Sequence, residues 1–184
     1  DFRTQSSVLV TTWDYSVAWT YGPYQYPHVV RDYYQAVKGL SAGTYVNGLH
    51  LGEWTNTSPT MYLWMRLLWN PDLDVDATLD EMCKRLYGKA GGTAREFIRL
   101  QCDLWQEGPW TKQRVKERGA WPVPARLFFK AWTPDVVQSL ETLREKALSE
   151  LAGDPLARQR FLYWTWSFDA FVKEARTLHG KKAE

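Results

Sequence analysis

Two segments in the first third of the sequence combine carboxylates with aromatic and hydrogen-bonding side chains. Eight residues in these segments are candidates for a site: Trp13, Asp14, Tyr15, Trp19, Asn47, His50, Glu53 and Trp54. An indole or phenol ring offers a flat apolar face, on which the C–H face of a sugar can stack. Carboxylate, amide and imidazole groups can hydrogen-bond the hydroxyls of the sugar. The two segments therefore predict the walls of a carbohydrate site, in which the uncharged residues bind the substrate.

The two carboxylates are the candidate catalytic groups. Glu53 is flanked by Gly52 and Trp54, and an apolar ring beside a carboxyl raises its pKa toward the range that suits a general acid. Asp14 is the natural partner. Retaining glycosidases need two carboxyls about 5–5.5 Å apart and inverting ones about 6.5–9.5 Å apart, and the sequence alone gives no such distance. A supporting carboxylate at a helix entry is the alternative role for Glu53.

A strand, a helix and a second strand must position these residues. Residues 7–12 form a β-branched run typical of a buried strand, residues 29–40 carry a helical apolar face, and residues 44–49 favour a second strand. This order normally implies parallel strands joined by a right-handed crossover. Functional residues of such units lie on the loops after the strands, so the two segments are expected side by side. Tyr24 and Tyr26 cluster with the aromatic residues of these segments, and His28, beside Pro27, is expected to have a structural role.

The rest of the chain reads as helical. Cap residues followed by proline, at Ser58-Pro59, Thr133-Pro134 and Asp154-Pro155, predict helix starts. The last helix is predicted to continue to the C-terminal region with one buried apolar stripe, formed by Phe161, Trp164, Phe168, Phe171, Ala175 and Leu178. Two parallel strands alone are not a stable sheet. We therefore expect an α/β to mostly α fragment, with residues 1–69 ending a larger α/β domain and residues 70–184 forming a helical domain. The start at Asp1, without a signal peptide, is typical of a mature, truncated or cleaved end.

Composition excludes several classes of function. The chain has 184 residues and a formal net charge of +2, and its basic residues are interspersed with acidic ones, which argues against a nucleic-acid partner. It contains no apolar run of about 18 residues, so no membrane span is expected. The spacing of Cys83, Cys102 and the three histidines fits no metal site, and there is no phosphate-binding glycine loop. We expect no metal and no cofactor.

Longer motifs in residues 8–108 resemble a known family. They are TWDY at 12–15, YQYP at 24–27, GLHLGE at 48–53, LLWNPDLDVD at 67–76 and LYGKA at 86–90. Together they resemble the C-terminal part of a bacterial TIM-barrel glycoside hydrolase family, long catalogued as a domain of unknown function. That family includes endo-β-N-acetylglucosaminidases acting on N-glycans. The sequence is also similar, more distantly, to the α-glucuronidases, which carry a helical domain after the barrel.

The resemblance implies a fold and an activity. It makes the two strands the last two of a (β/α)8 TIM barrel and places the main catalytic acids on earlier strands, absent from this chain. Members often have a Glu near the end of the last strand, where this sequence has His50, with Glu53 three residues later. Asn70, Asp72 and Asp74 match the family motif, and their chemistry reads as structural: a turn and a helix cap.

The expected protein is thus part of a retaining β-glycosidase acting on N-acetylhexosamine-containing or uronic glycans. An acetamido group of the substrate could then serve as the nucleophile. Its expected partners are the carbohydrate and the N-terminal part of the same barrel, and its expected location is secreted, periplasmic or on the cell surface of a bacterium. Two alternatives stay open: a non-catalytic carbohydrate-binding protein, and a helical scaffold whose aromatic residues form a protein interface.

Overall fold

The computed structural model describes residues 10–15, 25–47, 57–107 and 131–180, which contain two strands, seven α-helices and one short 3-10 helix. In chain order these elements are β1 (Val10–Tyr15), α1 (Pro27–Ala36), β2 (Ser41–Asn47), α2 (Ser58–Trp69), α3 (Val75–Tyr87), a short 3-10 helix (Gly88–Ala90), α4 (Gly91–Glu107), α5 (Pro134–Glu150), α6 (Pro155–Trp164) and α7 (Phe168–Gly180).

The strands pair in parallel, with α1 as the connection between them. This agrees with the strand–helix–strand order expected from the sequence, but the boundaries differ. β1 extends through residues 13–15, which the sequence predicts in the following loop, because Trp and Tyr favour extended backbone. β2 begins at Ser41, three residues before the predicted start, and is described through Asn47. The predicted strand positions 48 and 49 lie outside the described residues. The two described strands do not test the prediction that they belong to an eight-stranded barrel.

Glycine and proline set the limits of α1. Pro27 occupies the first turn of α1, where its missing N–H is not needed. Gly39 has φ +72°, a left-handed conformation that favours glycine, and it forms part of the turn that leads into β2. The helix therefore ends at Ala36, earlier than the residue 40 predicted from its apolar face.

Side-chain caps fix the starts of three helices. Asp74 Oδ1 accepts a hydrogen bond from the Ala77 N–H at 2.9 Å, and Asp154 Oδ1 accepts one from the Ala157 N–H at 3.0 Å. Thr133 caps α5 in the same way. Ser58 does not cap α2 as predicted, since it is itself the first helical residue. Three of the predicted starts are thus confirmed with their local cause.

Aromatic rings form the core between α3, α4, α6 and α7. The Phe97 ring lies 5.5 Å from both the Trp164 and the Phe168 ring, and Tyr87 stacks on Trp164 at 5.8 Å. The stripe predicted for the last helix is buried at Phe161, Trp164, Phe168, Phe171 and Ala175. It belongs to two helices, however, because the chain turns at residues 165–167 between α6 and α7. The prediction of one continuous helix is corrected accordingly.

No helix in the described ranges has both the length and the apolar character needed to cross a membrane.

Candidate functional site

The structure describes four of the eight candidate residues. Trp13, Asp14 and Tyr15 form the second half of β1, and Asn47 is the last residue of β2. The other four, Trp19, His50, Glu53 and Trp54, lie outside the described residues.

The strand register brings the ends of β1 and β2 together. Tyr15 lies opposite Asn47, Asp14 opposite Val46, and Trp13 opposite Tyr45. Neighbouring strands of a sheet are about 4.8 Å apart. Since both strands run in the same direction, Tyr15 and Asn47 end their strands at the same edge of the sheet.

A buried hydrogen-bonded cluster of Gln25, Thr60 and Gln101 lies where α1, α2 and α4 meet. Gln25 Oε1 accepts hydrogen bonds from the Thr60 hydroxyl at 2.8 Å and from the Thr60 N–H at 3.1 Å. Gln25 Nε2 donates to Gln101 Oε1 at 3.1 Å, and the Tyr26 N–H donates to Thr60 Oγ1 at 3.0 Å. The three clustered side chains belong to residues with 0% exposure.

Sequence reasoning missed this cluster, although the sequence held a signal for it. Gln101 follows Phe97 by four positions and Ile98 by three, which places a polar residue on the apolar stripe of α4. A buried polar side chain at such a position requires a partner. Gln25 lies in the YQYP motif, for which we had assigned no role.

Tyr26 belongs to the core rather than to a ligand surface. We had grouped it with the aromatic residues of the strand ends, but it is only 4% exposed. Its ring lies 5.0 Å from the Trp105 ring and 6.3 Å from the Trp64 ring. The Trp64 indole N–H in turn donates to the Tyr34 hydroxyl at 2.7 Å. The rings attach α1 to α2 and α4, and Tyr26 is therefore removed from the residues available to a sugar.

A charged cluster joins α1, α3 and α4. His28 Nε2 lies 3.2 Å from Asp76 Oδ1, and the Arg95 guanidinium donates to Asp76 at 2.5 Å and to Asp80 at 2.8 Å. Partial burial acts to raise the pKa of Asp76, but the hydrogen bond and charge of His28 and the contact with Arg95 outweigh it, so the pKa lies below its usual range. This ion pairing gives His28 the structural role expected from the sequence.

The acidic residues of the family motif also have structural roles. Asn70 Oδ1 accepts a hydrogen bond from the Asp72 N–H at 3.1 Å, which forms the predicted turn. Asp72 pairs with Lys38, and Asp74 caps α3. Each of these three side chains thus forms a hydrogen bond or an ion pair that stabilises the local fold.

The described residues form neither a metal-binding cluster nor a reactive thiol site. They contain no group of three or more His, Cys, Asp or Glu side chains that could hold a metal ion. Cys83 and Cys102 are both free and buried. Burial raises the pKa of each thiol to about 12, so neither is an activated nucleophile.

A cavity lies among the helices and is lined by residues of the segments 87–89 and 150–155. Its volume is about 380 Å³, and it is lined by the end of α3 and by the connection between α5 and α6, including Tyr87, Lys89, Glu150 and Asp154. Asp154 is already occupied as a helix cap. The candidate residues of β1 and β2 do not line this cavity.

Comparison with known proteins gives one family. A family model described as a domain of unknown function (DUF4838) matches residues 7–99, which is just over half of the chain. The matched range contains both strands and the LLWNPDLDVD motif. No curated protein and no solved structure matches the chain.

Proposed function

Because the chain belongs to the DUF4838 family, which is defined without a function, we propose a function from its strand ends. The chain is part of a glycoside hydrolase that cleaves glycosidic bonds in complex glycans. The observation that carries this proposal is the parallel register that sets Tyr15 beside Asn47. The strand ends from which the two aromatic and acidic segments continue thus share one edge of the sheet, and α/β enzymes bind their substrates at such an edge.

The proposal includes a larger barrel, of which β1 and β2 are the last two strands. A parallel sheet is normally covered on both faces and built from several strands. The exposed face of α2 supports further βα units: Tyr62, Met65 and Trp69 form an apolar stripe at helical spacing, and Trp69 is 93% exposed. We name these three residues the α2 apolar stripe, and we propose that it packs against neighbouring βα units.

In the proposed mechanism Glu53 is the general acid and Asp14 is its partner. Trp13, Tyr15, Trp19 and Trp54 supply rings on which sugar units stack, and Asn47 and His50 bind hydroxyls. The acetamido group of an N-acetylhexosaminide is the proposed nucleophile. The mechanism uses no cofactor, and the proposed location is outside the cytoplasm of a bacterium.

Replacement of Glu53 tests the mechanism in a polypeptide that contains the complete barrel. Glu53→Gln keeps the size of the side chain and removes its acidic proton, so kcat should fall by about 10²–10⁴-fold, the usual contribution of a general acid. Glu96→Gln, on the exposed side of α4, is the matched control and should leave kcat unchanged. Mass spectrometry of the sugars released from N-glycosylated and glucuronic-acid-bearing substrates gives the rates. Normal turnover by Glu53→Gln would remove Glu53 from the catalytic residues.

A non-catalytic carbohydrate-binding protein is the second candidate. Asp14 is the one carboxylate in the described strands, residues 10–15 and 41–47. A single carboxylate favours a surface that binds sugar, because acid–base catalysis needs a pair of carboxylates. Glycan-array binding by the complete polypeptide, with no release of sugar from any bound glycan, would establish this alternative.

A further inference from the structure

We infer that Gln101 of α4 is a positioning residue for the points at which the two strand-end segments end, the entry to α1 and the first turn of α2, and that it acts through Gln25 and Thr60. The inference rests on the proposed function, because that function gives the two segments their role. Gln25 directly follows residues 16–24, and Thr60 lies in the first turn of α2, just after residues 48–56. One cluster therefore holds the chain where both segments end.

The hydrogen bonds of the cluster fix these two points relative to each other. The Gln25 carbonyl oxygen accepts both the N–H and the hydroxyl proton of Thr60, while the Thr60 hydroxyl oxygen accepts the Tyr26 N–H. The entry to α1 and the first turn of α2 are thus joined by three bonds. Because each bond has a preferred direction, the cluster selects one relative orientation of the two chain segments.

Gln101 connects Gln25 and Thr60 to α4. Its Oε1 accepts the Gln25 amide N–H at 3.1 Å, across 76 positions of sequence. This bond orients the Gln25 amide, whose other end holds Thr60. An apolar side chain at position 101 would fill the space without orienting Gln25.

The second end of the Gln101 amide argues against packing as the reason for a glutamine here. Gln101 Nε2 is buried and has no acceptor among the described residues. A buried unpaired donor is costly, and such costs in native proteins commonly mark functional positions. The hydrogen bond that Gln101 Oε1 accepts from Gln25 offsets this cost.

Hydrogen exchange in the 184-residue chain tests the positioning role directly. Gln101→Met keeps the side-chain length and removes the acceptor, so exchange of the Tyr26 and Thr60 amides should become about tenfold faster, the change expected on losing a typical net hydrogen bond. Gln101→Glu retains an acceptor and should restore part of the protection. Gln106→Met, on an exposed position of the same helix, is the control and should change neither amide.

Two results would overturn the inference. Equal protection of Tyr26 and Thr60 in Gln101→Met and in the unmodified chain would show that the cluster does not depend on Gln101. Uniformly faster exchange that includes core residues such as Leu140 and Phe161 would show a general loss of stability instead. A double-mutant cycle with Gln25→Met should give non-additive effects, since the two side chains share one bond.

The activity of the complete barrel separates this inference from the proposed function. If the unmodified protein cleaves or binds glycans, Gln101→Met should lower kcat/KM or affinity by about 10- to 100-fold, as expected for misplaced substrate-binding groups. Unchanged values would refute positioning while the proposed function survives. If the unmodified protein neither cleaves nor binds glycans, the proposed function fails, and the exchange experiment still decides whether Gln101 holds the two segment ends.

Discussion

Asp76 shows how a single carboxylate can join three helices. It lies in the first turn of α3 and contacts His28 of α1 and Arg95 of α4, and Arg95 also pairs with Asp80. Burial of the Asp76 carboxyl disfavours its charged form, whereas the hydrogen bonds and charges of His28 and Arg95 favour it. The effect of His28 and Arg95 is larger, so the pKa of Asp76 is lowered. The charged form of Asp76 is therefore the form that stabilises the fold.

The pH dependence of stability follows from this lowered pKa. A carboxyl whose pKa is lower in the folded protein stabilises it above its unfolded pKa, near 3.8, and this contribution is lost as the pH falls through the folded value. Asp76→Asn should therefore be less stable than the unmodified chain by a constant amount above about pH 5. The difference should shrink below about pH 4.

Urea unfolding followed by circular dichroism between pH 2.5 and 7 gives the required free energies. Glu145→Gln, at an exposed position of α5, controls for the loss of one negative charge. A stability difference between Asp76→Asn and the unmodified chain that does not change with pH would contradict the assigned role of Asp76.

At the scale of elements, the contact between α3 and α4 depends on a glycine. A Cβ atom at Gly91 would lie 3.1 Å from the Cys83 carbonyl oxygen and 3.1 Å from the Lys84 Cα, both in the backbone of α3. Backbone atoms of a packed helix cannot rotate away as side chains do. The first residue of α4 must therefore be small for the two helices to approach as closely as they do.

Two neighbouring glycines provide a matched test of this contact. Gly91→Ala should destabilise the chain by about 1–3 kcal/mol, the usual cost of overpacking. Gly92→Ala has open space around the new Cβ and should stabilise the chain by about 0.4–1 kcal/mol, through the unfolded state. Thermal unfolding of the two variants measures the contrast. Equal shifts for both would show that α3 yields to the added methyl group.

The elements also show what sequence can and cannot predict. The caps at Asp74, Thr133 and Asp154 were predictable because each bond spans three residues. The break between α6 and α7 was not, since the aromatic stripe continues through it at helical spacing. In the candidate site, the strand order predicted that Tyr15 and Asn47 lie at neighbouring ends. The Gln25–Gln101 bond depends on packing between distant elements, which local patterns do not encode.

At the scale of the whole molecule, the aromatic residues divide between a packed interior and an exposed surface. Trp64, Trp132 and Trp164 are buried, whereas the α2 apolar stripe is exposed and ends at Trp69. Single exposed apolar residues are ordinary, but a stripe of them on one helix marks a surface that packs against something else. In the proposed barrel that surface belongs to the ring of helices.

Substitution of Trp69 distinguishes a covered stripe from an exposed one. In the 184-residue chain Trp69→Lys should change stability by less than about 0.5 kcal/mol, as exposed substitutions usually do. In a polypeptide with the proposed further βα units it should cost about 3 kcal/mol or more, because the side chain would then be part of a core.

Leu156→Lys, on the exposed side of α6, is the matched control and should have the same small effect in both polypeptides. Differential scanning calorimetry compares them. An equal, small effect of Trp69→Lys in both would refute packing of βα units on the stripe.

The bond between Gln25 and Gln101 has a consequence for the order of events during synthesis. The ribosome adds about 5–20 residues per second, so Gln101 is made about 4–15 s after Gln25, from which it is separated by 76 positions. Throughout that interval the bond from Gln25 to Gln101 cannot form. β1, β2 and α2 have been synthesised before its acceptor exists. The cluster that joins α1 to α2 is therefore completed only after most of α4 has been made.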